Sequence, residues 1–450
     1  MTPAGPFTVP RGAPLALALM LMLIVSLQFG PAIGLLGFRI TGSTRWALLG
    51  GARDGLVLLL VLLAAGALLS SSTPPRLPVS ARWALLLVAV YLGFAFAAAQ
   101  PAVLVALNLR RLALVPLLFV ALLLLPWSRP QLELLMRWLL GTSVVVAVLG
   151  LVERFSPDAL WTSVLDVGSY MASNPLDPWG MIPFELSGRF FSWDMEPLAG
   201  IVVRRLVSTY LEPTTLAPTM AVALLLALAA HARRPFGAPD PGSAAWTRYS
   251  SACAVLFVVA GALTVSKGFA VFLLLLILWR VFGLPQPRQV FLLSAIGIAG
   301  AILLGDAGFT DGAFSHLAGL ASAARYLFDG NLFGEGLGAA GNYSIVDTDV
   351  GTESGLGNGI AQIGLAAFLP LLWVRAIAIE VWQTSLLRRD AGGPWIGAWL
   401  LFWFLTYLLS ASSLGVGGNA LGFAMLALYL HPAWGHAGTG AAPSLAGDHR

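Results

Sequence analysis

Apolar stretches long enough to cross a bilayer recur from one end of the chain to the other, separated by short charged or Pro/Gly-rich breaks. Reading the runs against the breaks predicts about twelve helices, near residues 13–36, 54–71, 82–99, 103–127, 131–152, 211–231, 250–265, 267–283, 289–305, 358–380, 394–411 and 414–430. Two intervals, 153–210 and 306–357, are too long and too polar to be simple turns, and chemistry is expected there. The pattern predicts an all-α polytopic membrane protein, a single membrane domain over residues 1–450, with two large extracytoplasmic loops. The first apolar run follows a single positive charge, as a secretory signal would, but it continues through AIGLLGF and reads as the first span.

Composition strengthens this reading. The chain is 58% hydrophobic and 10% charged, with a mean hydropathy of +0.85, far from the balance of a soluble domain. The net charge of +4 comes from arginines scattered between spans and forms no basic stripe, so no nucleic-acid partner is expected. Cys253 is the only cysteine and lies in an apolar run, which excludes a disulfide framework and a cysteine-based metal site.

Charge also sets the sides. With the N-terminus in the cytoplasm, that side receives Arg11, Arg76, Arg82, Arg129, Arg233, Arg234, Arg248, Arg280, Arg288, Arg388 and Arg389, and both long loops fall on the other side. Arg39, Arg45 and Arg53 oppose this locally, but 15 of the 21 acidic residues lie in or beside the two loops, which sets them apart as a polar face. Lysine occurs once, against 24 arginines: Lys267 stands between the seventh and eighth expected spans, at the level of the loops.

Three stretches carry candidate chemistry. RRLVSTYLEP ends the first loop with Arg204, Arg205, Ser208, Tyr210 and Glu212, and arginines at a membrane boundary suit phosphate oxygens as readily as they anchor a helix end. Upstream, Trp179, Phe184, Phe190, Phe191 and Trp193 mix with Glu185, Arg189, Asp194 and Glu196, a composition that fits a sugar or an aromatic belt at the interface. In the second loop Gly334, Gly336 and Gly338 form a tight glycine run; with no strand before it, this is no dinucleotide motif. Glu353, just before the tenth span, is a candidate general base or a helix N-terminal acid. Arg110 and Arg111 fall inside the fourth span and either line a cavity or mark a shorter helix beginning near Leu112.

In their order, these stretches resemble the bacterial O-antigen ligase and polysaccharide polymerase superfamily. RLVSTYLEP matches its arginine, small residue, aromatic and helix-opening proline with Arg205, Ser208, Tyr210 and Pro213. Ser266, Lys267 and Gly268 match its Ser-Arg-Gly, and GEGLG at Gly334 to Gly338 matches its glycine turn. The chain departs from the pattern in having Glu353 where many ligases carry a histidine, and His316 where the family has an arginine. The resemblance implies a GT-C-like transferase of the bacterial inner membrane, with its active site facing the periplasm. It implies a polyprenyl-pyrophosphate-linked glycan donor and a glycan or lipid acceptor in the membrane lipid, with chain-length regulator or export proteins as further partners and no cofactor or metal. Arg205 and Lys267, backed by Arg204, Arg110 and Arg111, would then bind the pyrophosphate, and Glu353 or His316 would serve the acceptor hydroxyl. Ser208, Tyr210, Glu212 and the three glycines would shape the substrate loop. Polymerase is favoured over ligase, and a lipid-linked oligosaccharide transporter is the alternative of a different class.

Overall fold

The structure, a computed structural model, describes residues 13–43, 45–46, 49–71, 76–172, 191–192, 203–232, 244–281, 315–340, 354–409 and 416–434. Among them, seven helices are long and apolar enough to cross a membrane: Ala13–Thr41, Gly51–Leu69, Val79–Ala97, Ala102–Leu124, Arg129–Phe155, Pro213–His231 and Gly355–Arg388. Four shorter apolar helices, Thr247–Leu263, Gly268–Ile277, Gly393–Leu408 and Gly417–Leu430, fall where four further spans are expected. The expected helix at 289–305 lies outside the described residues. The molecule is therefore mostly helical and suited to multi-pass insertion.

In chain order the α-helices are α1 (Ala13–Thr41), α2 (Leu49–Leu69), α3 (Val79–Ala97), α4 (Ala102–Leu124), α5 (Arg129–Phe155), α6 (Val167–Ala172), α7 (Pro213–His231), α8 (Ala244–Leu263), α9 (Lys267–Val281), α10 (Ser315–Phe328), α11 (Gly355–Ile363), α12 (Leu369–Arg388), α13 (Gly393–Gly397), α14 (Trp399–Leu409) and α15 (Gly417–Leu430). A two-residue antiparallel ribbon pairs β1 (Phe191–Ser192) with β2 (Val203–Arg204).

Helix starts follow local chemistry. The side chain of Gln131 accepts the Ser128 N–H at 2.9 Å and so satisfies a donor ahead of α5. Pro213 opens α7 in its first turn, where a missing N–H leaves nothing unsatisfied. Helix α7 is apolar on all sides, and 83% of its most apolar window is buried against 17% for α2, which puts α7 at the centre and α2 toward lipid. Helix α15 reaches the centre because Gly418 and Gly422 lack side chains. A Cβ on Gly418 would stand 2.9 Å from Pro218 of α7, and one on Gly422 would stand 2.0 Å from the Trp399 ring.

The helical stretch Gly355–Arg388, which covers the span expected at 358–380, changes its winding on the way: it is α-helical to Ile363, 3-10 from Gly364 to Phe368 and α-helical again from Leu369. Helix α11 stops at Gly364, whose φ of +57° belongs to the left-handed region that glycine enters freely, and α12 begins five residues later. The glycine-rich turn of the second long interval fills the break. Glu335 N–H donates to Ala361 O at 2.8 Å, Gly336 N–H to Gln362 O at 3.0 Å, and Leu365 N–H to Leu332 O at 2.9 Å. The Gln362 side chain in turn accepts Gly338 N–H at 3.0 Å. The turn thus supplies the partners that the last carbonyls of α11 lack, a need that is acute where water is excluded.

At the opposite end, Arg388 donates to Tyr429 O at 2.7 Å and to His431 O at 3.2 Å, closing the C-terminus of α15. His431 is buried. Its Nδ1 accepts Ala433 N–H at 3.1 Å, so the proton resides on Nε2, which donates to Leu125 O at 2.9 Å. Burial is the main force holding this imidazole at about 4, below its usual 6.5.

A depressed histidine makes the unfolded state the better proton acceptor, so its contribution is intact above pH 6.5 and is lost as pH falls toward 4. Asp390, which shares Arg388 as a charged neighbour, is raised by burial and acts in the opposite sense, which makes comparison with a non-titrating variant necessary. The thermal midpoint of detergent-solubilised protein should fall more steeply from pH 6.5 to 4 in wild type than in His431→Gln, a difference on the order of 3 kcal/mol. Parallel pH profiles would show that His431 is already charged in the fold.

Candidate functional site

The first long interval returns to the bundle through residues 203–212, and the two arginines of its motif separate there. Arg204 lies in β2 and is clamped: its guanidinium meets Glu153 Oε1 at 3.2 Å, Glu153 O at 3.0 Å and Asp158 Oδ1 at 3.1 Å. Glu153, at the end of α5, is only 6% exposed, and its second oxygen accepts Val207 N–H at 3.3 Å. This charge pair ties the segment to α5.

Arg205 turns to a different element. Its Nε donates to Thr264 O at 2.8 Å, and Leu206 N–H donates to Leu263 O at 2.8 Å, so the segment runs along the turn between α8 and α9. That turn carries Ser266, Lys267 and Gly268. Ser266 caps α9, its Oγ accepting Phe269 N–H at 3.4 Å, and Lys267 is the first residue of the helix. The fold therefore brings together the backbone positions of Arg205 and Lys267, sixty-two residues apart in sequence. Strain accompanies them: Ser208, Leu211 and the β-branched Val265 have φ of +55°, +59° and +50°, conformations that cost on the order of 1–3 kcal/mol each and collect at functional sites.

The hydroxyls that follow Arg205 face inward. Ser208 Oγ donates to Val146 O at 2.6 Å, Thr209 Oγ1 donates to Gln28 O at 2.6 Å, and the Tyr210 hydroxyl shares a 2.7 Å bond with Thr219. Burial pushes the Tyr210 phenol well above its ordinary range, so it stays protonated and cannot act as a base. Ser208 and Tyr210 shape the loop by locking it to α5 and α7. Glu212 is exposed and accepts hydrogen bonds from Thr214 and Thr215 in the first turn of α7.

In the second interval, Gly334, Gly336 and Gly338 have φ of +70°, +96° and +94°, and a Cβ on Gly334 would stand 2.6 Å from the Gln362 backbone. Glycine is required there by conformation and close approach. The amides of Glu335, Gly336 and Gly338 donate to α11, so they form a helix seal and not a cradle for an anion. His316 is the second residue of α10, while Glu353 and the aromatic stretch through Trp179, Phe184 and Trp193 lie outside the described residues.

Arg110 and Arg111 both stand within α4, which begins at Ala102. Arg110 meets Asp54 of α2 at 2.5 Å, and Asp54 is also 3.4 Å from Arg53. Arg111 instead lines a cleft with Tyr91, Trp373, Trp403 and Phe423. Sequence reasoning passed over two partners, Asp54 and Glu153. An acidic residue at the start of an apolar span was the signal for Asp54, since such a charge requires a counter-ion; Glu153 carried no local signal. Among the described residues no three His, Cys, Asp or Glu side chains gather as a metal site would need.

Because Glu153→Ala would leave Arg204 without its most buried partner, it should destabilise the protein by about 3 kcal/mol or more. Glu153→Ala combined with Arg204→Met should recover much of that loss, read from thermal midpoints in one detergent; an unrecovered double variant would show that the pair is not the clamp. No family model matches this chain, and neither does any curated protein, so the arrangement of these residues is what speaks to function.

Proposed function

We propose that the protein is a membrane glycosyltransferase that acts on polyprenyl-pyrophosphate-linked oligosaccharide at the periplasmic face of a bacterial inner membrane, within a bundle of about twelve spans of GT-C-like design. One observation carries the reading: Arg205, held by Thr264 O at 2.8 Å, lies against the turn that opens α9 with the only lysine of the chain. A helix N-terminus disfavours a cation, and Lys267 is the first residue of α9. An anion bound there offsets that mismatch.

The chemistry follows from the substrate. An acceptor hydroxyl oxygen forms a bond to the anomeric carbon while the bond from that carbon to the phosphate oxygen breaks. The pyrophosphate leaves with the electron pair, and the hydroxyl proton passes to a base, for which Glu353 is first choice and His316 second. Negative charge grows on the leaving group as the bond breaks, so fixed cations stabilise the transition state more than the bound donor. Arg205 supplies a planar set of donors of set orientation, and Lys267 a compact charge. Arg204 and Arg110, each paired with carboxylates, support the site from outside it.

Repeated transfer to a growing glycan makes the protein a polymerase of exopolysaccharide or O-antigen units, the form we favour. Reconstituted with a lipid-linked repeat unit, the protein should give a ladder of longer glycans; transfer only onto added lipid A-core would make it a ligase, and movement of the lipid between leaflets without product a transporter. Arg205→Ala and Lys267→Ala should each lower turnover by about 10²–10³ with expression unchanged, and Lys267→Arg should retain activity. Undiminished turnover in either alanine variant removes that residue from the mechanism.

A further inference from the structure

The outward face of α12 carries a charge inside a span. From Phe368 to Leu386 the exposed residues are Phe368, Leu372, Arg375, Ile379, Gln383 and Leu386, spaced three or four apart, so they form a single stripe. Arg375 makes no hydrogen bond or ion pair among the described residues. Glu380, five residues on, is engaged elsewhere: its two oxygens accept the N–H and the hydroxyl of Ser80. Two contacts fix the depth of Arg375. Glu380 meets Ser80 at the start of α3, while at the other end of α3 Ala98 lies against Gly336, whose N–H donates to Gln362 O at 3.0 Å. Residues 362–380 thus run the length of α3, about 27 Å, close to the thickness of the hydrocarbon slab. Arg375 stands about 7.5 Å inside the Glu380 end. The Cα–Cβ bond of a helical residue tilts toward the helix N-terminus, which here is away from that nearer boundary and toward mid-membrane. A charge so placed on an outward face is costly and requires a counter-charge from outside the bundle.

We propose that this stripe docks a transmembrane helix of another protein, one that carries a carboxylate level with Arg375. Acyl chains offer a guanidinium nothing, whereas a carboxylate in the same low dielectric compensates both charges. Phe368, Leu372, Ile379 and Leu386 supply the packing, and Gln383, about two turns beyond Arg375, offers donors and an acceptor to a second polar side chain. A second copy of this chain does not fit. A two-fold axis along the membrane normal would set Arg375 against its own equivalent. Among the described residues the carboxylates within spans, Asp54, Glu133, Glu153 and Glu380, already have partners. The inference needs only a multi-pass chain and holds whether or not the protein transfers glycans.

The test uses the full chain in lipid vesicles. The probe is a synthetic Leu/Ala transmembrane peptide of about twenty residues with one Glu placed about 7.5 Å from a boundary, and its twin has Leu in place of that Glu. Energy transfer between labelled protein and labelled peptide reads association. Wild type should bind the Glu peptide about tenfold more tightly than the twin, and Arg375→Leu should bind the two alike. Equal binding of both peptides to wild type overturns the proposal, as does a preference that survives in Arg375→Leu. The variant should keep the thermal midpoint of wild type, because the side chain it loses holds nothing in the bundle; a lowered midpoint would show that Arg375 is already engaged there. Phosphatidylglycerol enriched around wild type but not around Arg375→Leu, with no peptide preference, would assign the charge to a lipid headgroup instead. Disulfide formation between copies of an Ile379→Cys variant, made with Cys253→Ala, would give the stripe to a second copy and sink the choice of another protein.

Discussion

Inside a bilayer no water is at hand for a backbone N–H or C=O, and two irregular stretches among the described residues are shaped by that constraint. The break at Gly364 exists because the turn at 332–338 brings a carbonyl and three amides to the interrupted span. The segment from Arg205 to Leu211 leaves regular structure only where Thr264, Leu263, Val146 and Gln28 offer partners to it. Irregular backbone at such depth is tolerated where protein surrounds it. These stitches lie at one end of the bundle: the α8–α9 turn approaches Thr406 of α14, and Ser354 of the second interval donates to Leu408 O on the same helix at 2.5 Å.

That constraint also sorts the charges. Arg204 and Arg110 meet carboxylates within 3.2 Å, as charges in a low dielectric must, and are thereby committed to holding the fold. Arg205 donates through Nε to the Thr264 carbonyl, a contact that orients its guanidinium plane. Strained backbone at Ser208, Leu211 and Val265 collects beside that contact.

The helices were legible because a hydrocarbon slab demands apolar runs of about twenty residues, and neither charge nor glycine hides runs of that length. The meeting of RLVSTYLEP with the SKG turn was legible only as an order of motifs. Adjacent arginines could not be told apart: Arg204 is in extended backbone, where successive side chains take opposite sides, and which of the two reaches Glu153 depends on the path of the chain fifty residues earlier. The break at Gly364 was hidden inside IAQIGLAAFLP, apolar but for Gln362, and only the pairing of its glycine with Pro370 hinted at an end and a restart.

The contrast between the two cations of the turn has a physical logic of its own. An arginine tethered through Nε presents its fork in one plane, which suits a pyrophosphate whose position is already fixed. In the proposed glycosyl transfer, charge would move from a diester-like bridge toward a terminal oxygen, and a second rigid fork would favour one end of that path over the other. A lysine carries its charge on a flexible stem, and in the proposed transfer Lys267, the first residue of α9, would follow the oxygen as charge develops. A chain that otherwise uses arginine for every basic residue, and lysine once at the mouth of this helix, is consistent with that division: geometry from Arg205, adaptable charge from Lys267.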